Sequence, residues 1–218
     1  MLTITEENYL KALLHLSSND EEHTGVGINQ LAHRLSVRPA TVNNMVKKLR
    51  DKDLVEYERY GKINLTQQGK DLAVQIIRKH RLWETFLFTK LDFSWDEVHE
   101  VAEQLEHIQS EKLIEKLDKF LNYPRFDPHG DEIPSKNGLY QIKAKRTLAD
   151  CLPGTLCEVI SVKDNDTDFL QHVDSLGIGI NSKVEILSRF SFDGTLSLKV
   201  NDENVNVSKK VAENIYIS

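Results

Sequence analysis

Apolar residues recur at helical spacing as far as about residue 121, and from about residue 148 they alternate in short runs instead. Between the two lies NYPRFDPHGDEIPSKNG, a Pro- and Gly-rich stretch that ends helices and starts a linker. A chain with this change of period cannot be one helical bundle or one sheet. It folds as a mainly α protein with a small β part, and 218 residues suffice for two cores and a connecting module.

The N-terminal part has a specific order of elements. Residues 5–17 read as a helix behind a Thr cap, with Leu10, Leu13, Leu14 and Leu16 inward. INQLAHRL is a second, short helix; SVRP breaks it, and Pro39 opens a third with Val42, Met45, Val46 and Leu49 on its apolar face. Then LVEYERYGKINLTQQG alternates around a Tyr60-Gly61-Lys62 turn, as a hairpin does. Helix, tight turn, helix and hairpin describe a winged helix-turn-helix, whose second helix enters the DNA major groove. Its outer face offers Arg38, Thr41, Asn43, Asn44, Lys47 and Lys48, with Arg59 and Lys62 at the wing tip. Asparagine reads adenine edges, and the cations neutralise phosphates.

The helical region that follows carries ligand chemistry. Within DEVHEVAEQLEH, residues 96–107, the side chains of His99, Glu103, Glu106 and His107 project within an arc of roughly 100° on an ideal helix. Val98, Val101, Ala102, Leu105 and Ile108 take the other side. A solvated amphipathic helix has the same pattern, so the neighbours decide. On the preceding helix, residues 67–91, His80 and Glu84 stand one turn apart, and two antiparallel helices would bring them near His99. Imidazole and carboxylate without thiolate suit Mn(II) or Fe(II), with Zn(II) and Co(II) as competitors. The spacing does not match the HExxH of zinc proteases. Leu82, Trp83, Phe86, Leu87 and Phe88 exceed what one small domain buries, which points to a dimer interface.

Net charge is −6, yet residues 28–52 carry six Lys and Arg against one Asp, while residues 76–135 carry eight against thirteen Asp and Glu. Charge acts locally, so a basic segment for DNA precedes an acidic module for cations. No apolar run approaches bilayer length and MLTITEENYL is no signal peptide, which predicts a cytoplasmic protein without a membrane partner. Cys151 and Cys157 form no zinc-finger or redox pattern.

The order of winged helix, RKHRLWE helix, VHEVAEQLEH helix and small β-barrel resembles the diphtheria toxin repressor/manganese transport repressor family over nearly the whole chain. The resemblance implies a winged domain at 1–73, a helical metal-binding and dimerisation domain at 74–140, and an SH3-like β-barrel at 148–218 of the ferrous-transport-accessory type. It implies a homodimer that binds Mn(II) or Fe(II) and then a palindromic double-stranded operator, silencing metal-uptake genes. By position His80, Glu84 and His99 resemble the family's ancillary site, and Glu103, Glu106 and His107 its activating site. Asn8 stands where the first helix normally adds Met or Asp, and Lys11 where short manganese-responsive members have Glu. DPHG replaces the CPHG of longer members, which adds Asp127 and His129 as ligands; Asp164 is the carboxylate the β-barrel would lend. A carboxylate at position 103, where iron-responsive members have Cys, favours Mn(II). No nucleophile motif accompanies these residues, so the expectation is a regulator and not an enzyme. The alternatives are a winged-helix sensor of a small organic ligand and a metal-dependent hydrolase fused to a DNA-binding domain.

Overall fold

The computed structural model describes residues 2–18, 25–57, 61–138, 146–162 and 166–218. The chain forms two compact units and crosses between them: Met1–His80, Gln104–Glu111 and Pro134–Ile142 make the first, Arg81–Glu103, Lys112–Ile133 and Lys143–Ser218 the second.

The first unit begins with α1 (Ile4–Ser18), α2 (Ile28–Arg34) and α3 (Pro39–Arg50). Ser36, at φ 53°, makes the tight turn between α2 and α3, and Pro39 supplies a fixed φ at the first turn of α3. The strands β1 (Val55–Tyr57) and β2 (Ile63–Leu65) pair antiparallel, Val55 opposite Leu65, and Val26 adds a bridge to Ile63. Leu10, Leu13, Leu31, Val42, Val46, Leu49 and Ile63 are essentially fully buried. Each contributes about 1.5–3 kcal/mol of transfer free energy. Thr66 caps α4 (Gln67–Leu91): its hydroxyl accepts from the Gly69 N–H and donates to the Asp53 carbonyl. A Cβ on Gly69 would lie 2.0 Å from the Leu54 carbonyl oxygen, so only glycine lets helix and wing meet this closely.

In the second unit, α4 continues to Leu91 and is followed by α5 (Val98–Leu105) and α6 (Glu111–Phe120). The helix expected to run through residue 107 stops at Leu105, and Glu106 and His107 lie in the turn beyond it. The C-terminal part holds β3 (Arg146–Thr147), β4 (Leu156–Val162), α7 (Thr167–Ser175), β5 (Lys183–Arg189), β6 (Leu196–Val200), β7 (Glu203–Val207), α8 (Lys209–Ala212) and β8 (Ile215–Ile217). Its core of Leu148, Val159, Leu170, Val173, Val184, Ile186, Leu196 and Ile215 is sealed from solvent.

The expected β-barrel is not closed. Among the described residues the six strands form one sheet in the order β3-β8-β4-β5-β6-β7. Closure would require β3 to pair with β7, and among the described residues β3 pairs only with β8. Register shifts at Val159/Ser161 and Ile186/Ser188 are bulges of the kind that bend a sheet. No helix among the described residues is long and apolar enough to cross a membrane.

Candidate metal centres and nucleic-acid face

In the first unit, the inward face of α1 meets the turn after α5. Glu7 is buried, and its Oε2 lies 2.5 Å from His107 Nδ1 while its Oε1 accepts from Gln109 Nε2 at 2.6 Å. Glu106 is wholly buried, and its two oxygens differ in environment. Oε2 is 2.7 Å from Lys11 Nζ and 2.6 Å from His80 Nδ1. Oε1 lies 3.8 Å from His107 Nε2 and accepts no hydrogen bond. Asn8 Oδ1 is likewise buried without a donor. Beside these groups the Lys79 amine is held below its ordinary range by burial, which outweighs the opposing pull of Glu7 and Glu106. These contacts account for the early end of α5: pairing with Lys11, His80 and Glu7 draws residues 106 and 107 away from the helical ladder.

In the second unit, Glu84, Asp127 and His129 are all buried, with ligand atoms within 4.8 Å of one another. Glu84 Oε1 is 3.1 Å from His99 Nδ1 and 3.8 Å from His129 Nδ1, and His99 Nε2 is 3.6 Å from Glu103 Oε1. The stretch expected to begin a linker is an ordered loop here. Asp127 Oδ1 accepts the backbone N–H groups of His129 and Asp131, both at 2.9 Å, while its Oδ2 faces Arg81 Nε at 3.4 Å. Val162 N donates to the His129 carbonyl at 3.1 Å, which ties the loop to β4. Gly130, at φ +79°, permits that approach; a Cβ there would meet the Ile160 carbonyl oxygen at 1.9 Å.

His129 is oriented as a metal-binding imidazole is. Its Nε2 lies 2.7 Å from the Trp95 carbonyl, so that nitrogen carries the proton and donates it. The ring stacks on Trp95 at 6.0 Å, and Nδ1 is left buried without a hydrogen-bond partner. Burial pushes the Asp127 carboxyl up to about 7, with the Glu84 charge adding to it and Arg81 opposing. Burial acts to lower His129, but the carboxylates of Glu84 and Asp127 and the Trp95 carbonyl together hold it above its usual value.

Both clusters fit a divalent cation by their donor sets. Glu106 Oε1 in one and His129 Nδ1 in the other are buried acceptors without a protein donor, lone pairs that a cation, a proton or a water satisfies. No sulfur is among them.

On α3, Arg38, Thr41, Asn44, Lys47 and Lys48 are exposed, as is Lys62 beside the wing. Asn43 is not available in the same way. Its Oδ1 accepts from the Tyr57 hydroxyl at 2.9 Å and its Nδ2 donates to the Pro39 carbonyl at 3.3 Å, which joins α3 to β1. Arg59 and Asp164 lie outside the described residues.

Three family models cover the chain in turn: the iron dependent repressor N-terminal DNA binding domain over residues 1–63, the iron dependent repressor metal binding and dimerisation domain over 66–135, and the FeoA domain over 146–218. The solved structure of the manganese regulator SloR is 35% identical, matches 100% of this chain and 99% of that one, and superposes with a TM-score of 0.80. The chain belongs to the diphtheria toxin repressor/manganese transport repressor family of metal-dependent transcriptional repressors. A manganese-dependent transcriptional repressor solved in complex with manganese is 32% identical, with a TM-score of 0.88 over 97% of this chain and 98% of that one. The iron-dependent repressor IdeR of Mycobacterium bovis is 34% identical over 133 residues, 61% of this chain. The match spans about half of that curated relative, 56% of its length.

Among the described contacts, His80 Nδ1 pairs with Glu106 and Lys11, and Glu103, expected with Glu106 and His107, contacts His99. Glu7 escaped the sequence reading because the position aligned with the family ligand is Asn8. One signal pointed to it: Glu7 and Lys11 are four residues apart and share a helix face with the buried Leu14.

Proposed function

We propose that this protein is a manganese-responsive repressor, in which Mn(II) is the corepressor for binding of a homodimer to a palindromic double-stranded operator controlling metal-uptake genes. Fe(II) is the next candidate, and Zn(II) and Co(II) are competitors. The observation that carries the reading is the buried Glu84, Asp127 and His129, whose oxygen and nitrogen atoms converge within 4.8 Å and whose His129 Nδ1 no protein donor reaches. Glu7, Asn8, Glu106 and His107 would hold one ion. Glu84, His99, Asp127 and His129 would hold another, with Glu103 beside His99 and Asp164 as a further carboxylate. A bound divalent ion would add its charge to that of Lys11 beside Glu106 and Arg81 beside Asp127.

The residues of the chain do the rest. The first cluster joins α1, part of the winged domain of residues 1–73, to the turn at 106–107, and a divalent ion there would add bonds to those that Lys11 and Gln109 already make across the joint. Fixing the joint fixes the winged domain, and with it the spacing of two α3 helices across a dimer. Arg38, Lys47, Lys48, Arg59 and Lys62 would then contact phosphates, with Thr41 and Asn44 nearest base edges. In the second unit, Phe88, Leu91, Leu113 and Phe120 stay exposed, as a dimer face of the 74–140 domain requires. DNA as partner places the protein in the cytoplasm, acting by binding and not by catalysis.

An operator titration with Mn(II), Fe(II), Zn(II) and Co(II) at matched free-metal concentrations tests the reading; DNA affinity should rise with Mn(II) at the lowest concentration. The double variant Glu103→Ala, His107→Ala should keep the fold and the dimer and lose the metal response. Full, metal-independent operator affinity in that variant would overturn the reading.

A further inference from the structure

Lys11 occupies an unusual position for an amine. It lies on α1 between the buried Leu10 and the buried Leu14, is itself buried, and directs its ammonium inward. Nζ sits 2.7 Å from Glu106 Oε2 and 3.3 Å from His80 Nδ1, while His80 Nδ1 is in turn 2.6 Å from the same carboxylate oxygen. Ammonium, imidazole and carboxylate form a closed triangle inside the first unit. A carboxylate oxygen paired with an imidazole nitrogen in a buried setting is what a divalent ion seeks. Here that edge already carries a positive charge on a tether.

The consequence is visible on Glu106. Its Oε2 is satisfied, whereas Oε1 faces His107 Nε2 at 3.8 Å with no donor. One carboxylate, wholly buried, thus presents one oxygen with donors and one without. A hydrophobic or neutral residue at position 11 would leave Oε2 with the His80 imidazole alone, an imidazole–carboxylate pair open to a second ion.

We propose that Lys11 is a resident cation of this cluster: its ammonium holds the place beside Glu106 Oε2 and His80 Nδ1 that a second divalent ion would fill, and so limits the first unit to one ion on the Oε1 side. The proposal rests on the metal-binding reading above for that one ion. It does not rest on it for the ammonium, which is in place without metal.

Full-length protein and the Lys11→Met variant are to be compared by equilibrium dialysis with metal analysis, and by the electron paramagnetic resonance of unbound Mn(II). Lys11→Met should bind one more Mn(II) per chain than the parent. In chelator it should melt below the parent, and added Mn(II) should restore it more than the parent is raised. Lys11→Arg, which keeps a cation, should leave the count unchanged. Should Lys11→Met not fold, Lys11→Gln, which retains a hydrogen bond to Glu106, is held to the same gain of one ion. An unchanged count in the folded variant overturns the proposal, as does a gain in Lys11→Arg. A parent that binds no Mn(II), alongside a variant that binds one, refutes the proposed function and leaves the role of Lys11 standing. Failure of both to bind refutes both.

Discussion

At the scale of single residues, the carboxyl of Asp127 is the most informative group. Its folded value of about 7 lies above its ordinary one near 4, so without metal the folded protein holds a proton there that the unfolded chain releases. That contribution to stability is complete below about pH 4 and is lost as the pH rises to about 7; the raised His129 acts with the same sign at the upper end. Metal binding must displace the Asp127 proton, which alone should lower Mn(II) affinity at this cluster by up to about tenfold for each pH unit below 7. Calorimetry at pH 6 and pH 7.5, in buffers of different ionisation heat, reads both the affinity and the proton release, and Asp127→Ala should flatten the dependence. Gly130 supports the same loop. With φ at +79° and the Ile160 carbonyl 1.9 Å from any Cβ, Gly130→Ala should cost about 1–3 kcal/mol in denaturant unfolding and weaken Mn(II) binding through displacement of His129.

At the scale of elements, α3 divides into a face that holds the fold and a face that faces out. Asn43 bonds Tyr57 across to β1, so Asn43→Ala should lower stability by about 1 kcal/mol. Asn44, exposed on the same helix, should behave otherwise. Asn44→Ala is expected to leave the melting temperature unchanged and to relax preference at one operator base pair by about 1–3 kcal/mol, measured by competition between operator variants. The end of α5 at Leu105 shows tertiary contacts overriding local periodicity. The sequence from 96 to 107 has helical spacing throughout, yet the last two polar residues pair with α1 and His80. A face of four candidate ligands on an ideal helix therefore becomes two on the helix and two in a turn.

At the scale of the whole molecule, charge is distributed by function. The acidic stretch 76–135 and the basic stretch 28–52 predict opposite responses to ions: divalent cations strengthen operator binding, and monovalent salt weakens it. Lys47→Ala and Lys48→Ala should each reduce the slope of log affinity against log salt by about one, with little change in sequence preference. Fluorescence anisotropy of a labelled operator at several salt concentrations checks this.

The sequence by itself determined the order of elements: helical spacing to about residue 121, the Pro39 break, the alternating hairpin, and the strands after 148 are local signals. Those signals survive because each depends on neighbours a few residues away. It also supplied the ligand types, since imidazole and carboxylate chemistry belongs to the residue and not to its surroundings. Only the tertiary structure decided which of these side chains stand together. Glu7 with His107, Lys11 with Glu106, and Asp127 with Glu84 are joined across long separations in the chain, and no period in the sequence records them. The order of the described strands, with β3 and β7 at opposite ends of one sheet, is likewise a matter of pairing across the chain, which composition does not record.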